Sequence, residues 1–552
     1  MQTFDWGTPV FLLGPLILVA PFLGKYIALV LEGKRTWMSY IFGPLENFLL
    51  FALGGKKEMT WQGYLKSLLI FNFTGGVILF GILIFQNYLP LNELNLDGVP
   101  LPLAFNITSS FITSTNWQAY LPETTLSYFS QMLGLSVQNF FSAATGICVL
   151  AVLARGFVAR KGKTVGNFWA DLSRIIVYIL LPFSIAFAIF LLSQGVIQNF
   201  SAPLSITTLE GDTQILAQGP AASQVAIKHL GTNGGGFFGA NDAHPFENPT
   251  YLSNIFELGA ILLFPFSLIF TFGYLIRDKR QAITLLSATL VLAIIFLGAS
   301  FLGEISANQV SPENSIMEGK ETRIGVVGSL LSVLSSNGSM NSSLESVSPL
   351  TGGVFLLSIA LGDIIFGAAG SGLYCLILYV ILTSFIAGMM IGRTPEYLGK
   401  KIETFEIKMS ITAILVPTVL VLLGSGIILK FNLFNIELGP HGVTQVIYAF
   451  VSTANNNGSA LSVFAQNELS HLVLGANMLI GKFIIITCVI AIAGNLAKKN
   501  KVRANKSSFP TDNGFFVLLL VSVILMGGLT FLPALSLGPI LEHFLLLAGG
   551  NY

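Results

Sequence analysis

Ten apolar runs of about 20 residues or more recur along this 552-residue chain, the length that crosses the hydrocarbon core of a bilayer. They fall at roughly 8–31, 63–89, 126–154, 170–198, 252–276, 281–303, 353–391, 409–430, 472–497 and 514–546. Inside lipid every backbone N–H and C=O must find a partner within the protein, and runs this long do so as helices. The expected fold class is an all-α polytopic membrane protein with about ten transmembrane helices. Composition agrees: 53% of residues are hydrophobic and 10% charged, with a mean hydropathy of +0.76, against about 25% charged in a soluble domain. The opening MQTFDWGTPVFLLGPLILVAPFLG lacks a basic n-region and reads as a first span that stays in place. Cys148, Cys375 and Cys488 lie far apart in apolar segments with no CxxC pair, which suits packing.

The near-neutral net charge of +1 hides a sorting of charge along the chain. Of 28 Lys and Arg residues, 21 fall in five short connections: 32–60, 155–174, 277–280, 393–408 and 498–506. The positive-inside bias makes these loops cytoplasmic and puts both termini and four longer segments outside.

Those four outward segments share a pattern: SFITSTNWQAY (110–120), IKHLGTNGGGFF (227–238), SLLSVLSSNGSMN (329–341) and YAFVSTANNNGSAL (448–461). Each has a short helix-compatible stretch, then Ser/Thr, then Asn, and in three cases Gly. Anchored on Asn116, Asn233, Asn337 and Asn457, they are separated by 117, 104 and 120 residues. The chain thus reads as four repeats of span, re-entrant loop, span: 61–160, 161–280, 281–400 and 401–505. An extra first span with its cytoplasmic loop (1–60) and an extra last span (506–552) flank them.

Non-helical backbone at membrane depth must be buried in protein or line a water-filled path. Four such loops around one axis would aim carbonyl and Ser/Thr/Asn oxygens at the centre, replacing the hydration shell of a monovalent cation. The candidate filter is Thr115, Asn116, Thr232, Asn233, Gly234, Ser336, Asn337, Gly338, Asn456, Asn457 and Gly458, with Trp117 in the glycine's place in the first loop. The short helices would direct their negative C-terminal ends inward. His229 and His244 read as supports, because HPFEN supplies too few ligands for zinc.

Two charges fall inside spans. Asp363 lies in ALGDIIFGAAGSGLYC, a glycine-rich interruption of the seventh run, and Lys482 in NMLIGKFIIITC of the ninth. Either would cost about 2.5–3.5 kcal/mol unpaired at a helix centre, so a partner or wet cavity is expected. With Gly367, Gly370 and Gly372 they are placed at the inner end of the ion path. The competing reading is a buried ion pair that steadies the bundle.

The strings ETTLSYFSQM (123–132), GTNGGGFFGANDAHPFENPT (231–250), MEGKETRIGV (317–326), GSGLY (370–374), IGRTPEYLGKKIE (391–403) and STANNNGSA (452–460) carry a resemblance. The chain resembles the superfamily of K+ transporters with four channel-like repeats. Within it, the chain is most similar to the family of potassium-binding and translocating subunits of the bacterial Kdp K+-transporting ATPases. The resemblance implies a component that is not catalytic by itself and selects K+ outside, while a separate P-type ATPase catalytic component, the B subunit, hydrolyses ATP. The C subunit and a small single-span one would assist, in a bacterial inner membrane. Membrane lipid is an implied partner, nucleic acid is not, and K+ is cargo rather than cofactor. It also implies that positions such as Asp363 and Lys482 border the path toward the ATPase. In keeping with this, the sequence has no DKTGT motif, and the GKT at 162–164 has Phe157 where a P-loop needs its first glycine. The alternative is a K+ channel-type transporter working without an ATPase. A membrane enzyme would need clustered His, Asp or Glu within spans, and the five histidines are scattered.

Overall fold

The computed structural model describes residues 7–55, 57–207, 211–310, 322–434, 436, 439–461, 467–501 and 513–548. Both chain ends, and parts of the 317–326 and 498–506 stretches, lie outside these residues. Among the described residues, ten helices are long and apolar enough to cross a membrane: Gly7–Leu31, Trp61–Ile84, Ser130–Val158, Phe168–Gln194, Tyr251–Ile276, Lys279–Ala307, Ser371–Ile391, Thr404–Phe431, Glu468–Lys498 and Gly514–Leu537. The protein is a multi-pass, mostly helical membrane protein.

Between the first and last of these, the chain four times runs long helix, short helix, loop, long helix. The short helices are Leu101–Ile112, Ala221–Leu230, Thr322–Leu334 and Pro440–Ala454. Burial separates inner from outer elements. The long helices that follow the loops are buried over 83, 72, 72 and 67% of their most apolar windows, and those that precede them over 28, 39, 56 and 28%. The helix after each loop therefore lines the core, and the one before it faces lipid. The first helix packs on Tyr251–Ile276 through Gly24, whose carbonyl accepts from Thr271 Oγ1 at 3.1 Å.

Two of the apolar runs are not single helices. The seventh, 353–391, breaks into Pro349–Ala360 and Ser371–Ile391. Between them Gly362, Asp363, Phe366, Gly367 and Gly370 all take left-handed backbone angles, which no right-handed helix accommodates. The tenth ends at Leu537, and after Gly538 a separate helix, Pro539–Leu547, begins. Pro539 lacks the N–H that a continuous helix would use.

The basic connections are more built than their composition suggests. The 32–60 connection contains a helix, Met38–Ala52, of which Leu50 alone is buried. In GRTPEYLGKK, Glu396–Tyr397 pairs with Lys400–Lys401 across Leu398 (φ +51°) and Gly399 (φ +73°). Two successive positive φ values make the tight turn that matches strand twist. The hairpin delivers Lys400 Nζ to the carbonyls of Ala159, Leu496 and Lys499 at 2.5, 2.8 and 2.7 Å, so one ammonium caps the ends of two core helices. Burial is the main cause that lowers its pKa to about 8, with Lys501 and Lys499 adding to it.

Candidate functional site

Each short helix ends the same way. Its last turn is followed by a backbone bond from residue i to i−5: Thr115 N to Ser110 O at 3.0 Å, Asn233 N to Lys228 O at 2.7 Å, Asn337 N to Ser332 O at 3.0 Å and Asn457 N to Ser452 O at 2.8 Å. The residue just before each of these is left-handed: Ser114 (φ +61°), Thr232 (+52°), Ser336 (+48°) and Asn456 (+55°). This geometry corrects the register read from letters. Thr115, not Asn116, is the equivalent of Asn233, Asn337 and Asn457. Asn116 then takes the glycine position, which Trp117 does not occupy. Asn116 (φ +52°) shares its left-handed backbone with Gly338 (+79°) and Gly458 (+97°), a conformation asparagine tolerates better than most residues.

The four loops touch in a closed ring. A Cβ on Gly234 would strike the Asn337 carbonyl, one on Gly338 the backbone of Asn457 and Gly458, and one on Gly458 the Thr115 carbonyl. A Cβ on Gly235 would lie 2.8 Å from Asn116 O, which closes the circle from the second loop to the first. Asparagine side chains brace this ring instead of lining its centre, contrary to the expectation from the sequence. Asn337 Nδ2 donates to Lys228 O at 3.3 Å and Asn233 O at 3.4 Å, and Asn457 Nδ2 to Val333 O at 2.8 Å. Asn456 Nδ2 donates to Thr115 Oγ1 at 2.8 Å, and Asn116 Nδ2 to Asn139 Oδ1 at 2.7 Å. Asn233 Nδ2 reaches Ser142 Oγ at 3.1 Å. Among the described residues no donor meets the carbonyl oxygens of Thr115, Asn337 or Asn457. The ring is therefore held from outside by amide side chains while backbone oxygens stay available.

Behind the second loop lies a charged network that sequence reading did not single out. Lys228 Nζ donates to Asp242 Oδ1 at 2.8 Å and to Glu247 Oε1, with its side chain fully buried. His229 bridges Asp242 Oδ2 at 2.9 Å and the Val225 carbonyl at 2.8 Å. Asp242 Oδ1 also accepts from Ser339 Oγ of the third loop at 2.6 Å. The ligating atoms of His229, Asp242 and Glu257 lie within 4.8 Å of one another, a metal-like spacing. Lys228 already places a cation on Asp242, one of the two carboxylates of that group, and Asp242 also holds Ser339, so the cluster serves as a brace between loops two and three. His244 stacks on Phe238 at 3.9 Å, and burial lowers its pKa to about 4, so it supports the loop as a neutral ring. At the N-terminal end of the fourth short helix, His441 meets Glu345 through Nε2 and Glu542 through Nδ1, each at 3.1 Å. Hydrogen bonds to Glu345 and then Glu542 push its pKa up to about 10.

Asp363 lies directly against the ring. Its carboxylate accepts from the hydroxyls of Ser336 and Ser371 and from Ala368 N at 3.0 Å. The broken segment docks beneath loops two and three through Ala369 N to Thr232 Oγ1 at 2.6 Å and Gly367 N to Leu334 O at 3.0 Å. Gly370 packs on the Gly146 backbone, and Gly367 and Gly372 pack on each other, with no room for a Cβ. Lys482 and Asp363 line one cavity of about 40 Å³ with Ser371, Tyr374, Asn455 and Asn456. Among the described residues no ion pair within 4.0 Å joins the two, so they share a small chamber whose other walls are mostly apolar and are not a contact pair.

A family model described as the potassium-transporting ATPase A subunit matches residues 10–544. The potassium-transporting ATPase potassium-binding subunit of Pseudomonas fluorescens (strain SBW25) is 45% identical, over 98% of this chain and 99% of its own length. The subunits of the same name from Rhodospirillum centenum and Clostridium botulinum are 48 and 43% identical, covering 97 and 96% of this chain and 97% of each relative. Among solved structures, the potassium transporter TrkH from Vibrio parahaemolyticus aligns with a TM-score of 0.51 at 16% identity, over 88% of this chain and 98% of that one. That likeness speaks for the fold alone.

Proposed function

The chain belongs to the potassium-transporting ATPase A subunit family, and from that premise we propose that its four-loop ring selects K+ and passes it to a separate ATPase subunit. The observation that carries the reading is the fourfold repeat of one backbone geometry, with the Thr115, Asn337 and Asn457 carbonyls meeting no donor among the described residues and glycines packed against the neighbouring loop. Backbone oxygens held at fixed spacing replace water around a monovalent cation. The asparagine braces resist collapse or widening of that spacing, and four helix C-termini abutting the ring favour positive charge. The filter comprises Thr115, Asn116, Thr232, Asn233, Gly234, Ser336, Asn337, Gly338, Asn456, Asn457 and Gly458.

Below the ring, the Asp363 carboxylate attracts an ion that has shed its water, and the Lys482 ammonium in the same chamber repels it. An ion that passes the filter thus meets an attractive and then a repulsive charge, which suits controlled release toward a partner better than free conduction. The five basic connections face the cytoplasm of a bacterial inner membrane, and both termini lie outside. The partners are the P-type ATPase catalytic B subunit, the C subunit and a small single-span subunit of the Kdp complex. K+ is the transported ligand, and no cofactor is required.

Substituting Gly338→Ala tests the ring, because the new methyl meets the Gly458 backbone at a left-handed position. The assembly should purify intact and need far more K+ to stimulate ATP hydrolysis. An unchanged K+ requirement would remove the filter from these residues. Mild-detergent isolation tests the partner: a stoichiometric P-type ATPase supports the pump, and recovery of the chain alone supports the channel-type alternative.

A further inference from the structure

A second polar cavity, of about 450 Å³, opens far from the ring, between the 33–37 turn, the helix Met38–Ala52 and the start of Phe168–Gln194. Its volume equals that of roughly fifteen liquid waters. The wall carries three cations, Lys34, Arg35 and Arg174, against one carboxylate, Glu46. Arg174 Nε already meets Glu46 Oε1 at 2.9 Å and Tyr178 Oη donates to Glu46 Oε2 at 2.6 Å, so that carboxylate is neutralised in the floor. Its side chain and that of Arg174 are mostly covered, at 14 and 15% exposure. The turn above is shaped by Gly33 (φ +70°), where a Cβ would lie 3.0 Å from the Arg174 guanidinium. Positive charge is left over at the mouth, on Arg35 and on Lys34, whose contact with Glu32 is a surface pair that little energy holds together.

The helix beside this mouth says what kind of anion comes there. It starts at the cavity, so its N-terminal turn adds partial positive charge. Trp37, Ile41, Phe48 and Phe51 project from it with 64, 62, 66 and 88% exposure, a row that water alone would not favour. A helix with one apolar exposed side, next to cationic turns, lies in the plane of a bilayer interface with aromatic groups at headgroup depth.

We infer that this cavity binds the headgroup of a membrane phospholipid, with its phosphodiester on Lys34 and Arg35 and its acyl chains along the exposed side of Met38–Ala52. The leaflet, cytoplasmic, rests on the orientation proposed above; the site itself does not. Free inorganic phosphate shares the charge chemistry but offers nothing to the aromatic row.

Native mass spectrometry of the full chain, delipidated in mild detergent and titrated with phosphatidylglycerol, phosphatidylethanolamine or inorganic phosphate, tests this. One phospholipid should bind saturably, and Lys34→Gln with Arg35→Gln should weaken it by about an order of magnitude. Lys161→Gln with Lys163→Gln, which removes the same charge from another basic loop, should leave binding unchanged. Preference for one lipid over the other identifies the headgroup. Equal loss in both double variants, or displacement by millimolar phosphate, overturns the assignment. Labelling of Lys57→Cys in intact cells by a membrane-impermeant maleimide checks the leaflet independently: labelling there would refute the orientation and leave the site standing.

Discussion

Lys228 is the residue whose loss should be felt furthest from its own position. Its ammonium sits on Asp242 and Glu247, and all three side chains are buried to within 2%. Lys228→Met keeps the length and removes the charge, stranding two carboxylates where one cation served both. Removing one partner of a buried pair costs roughly 3–5 kcal/mol, and protonation of Glu247 would return part of that. The remainder falls on the ring: Asp242 holds Ser339 of the third loop, and the carbonyl of residue 228 receives the Asn337 amide. If about 1.4 kcal/mol of the cost reaches the ion-bound state, apparent K+ affinity drops about tenfold. K+-stimulated ATP hydrolysis of the co-purified assembly reads the affinity, and a detergent melting curve reads the stability. Adding Glu247→Gln to Lys228→Met removes one stranded charge and should recover a substantial part of both losses. Wild-type values in Lys228→Met, or a double variant as poor as the sum of the singles, would show that the network does not act as one brace.

Three further outcomes follow from the geometry. Asn116→Gly loses only the bond to Asn139, while Asn116→Val should lose about 1–2 kcal/mol more, because only the first accepts a left-handed backbone; comparable K+ affinities for the two would refute the register found here. His441 has its pKa raised to about 10 from an ordinary 6.5, so its stabilisation is complete below pH 6.5 and lost as pH rises through about 10. Melting temperature should therefore fall over that window in the wild type and stay flatter in His441→Gln, and parallel curves would dismiss the contact. Asp363→Asn keeps one oxygen acceptor, and its amide nitrogen can donate to the other serine hydroxyl once that hydroxyl turns, but the charge is gone, so K+-stimulated ATP hydrolysis should fall with little change in melting. Wild-type coupling with lower stability would mark Asp363 as structural.

The spans were legible because hydropathy at this length admits one solution, and the four loops because each interrupts it with small polar residues at the same place. The alignment among loops was legible only to within one residue. Asn-Gly matched by letters in three loops, whereas the structure aligns them by an i to i−5 bond and a left-handed residue, features that Thr115 and Asn116 satisfy with different chemistry. The break in the seventh run was signalled by GDIIFGAAGSG, but its docking against Thr232 and Leu334 requires two distant segments to meet. The Lys228 network was hidden because a lone lysine among scattered charges carries no period. The signal available was local: three charged residues, Lys228, Asp242 and Glu247, within twenty positions of a chain only 10% charged.

Because one polypeptide supplies all four quarters of the ring, no quarter is obliged to copy another. In a ring of identical subunits, any substitution is imposed four times at once, and most such changes are too large to survive. Here the first loop carries Thr-Asn where the others carry Asn-Gly, and the second has the buried Lys228 ammonium behind it. In the filter proposed above, the preference among ions of similar size can thus be adjusted in single steps of one quadrant, and selection can act on one ligand while the other three hold the pathway open.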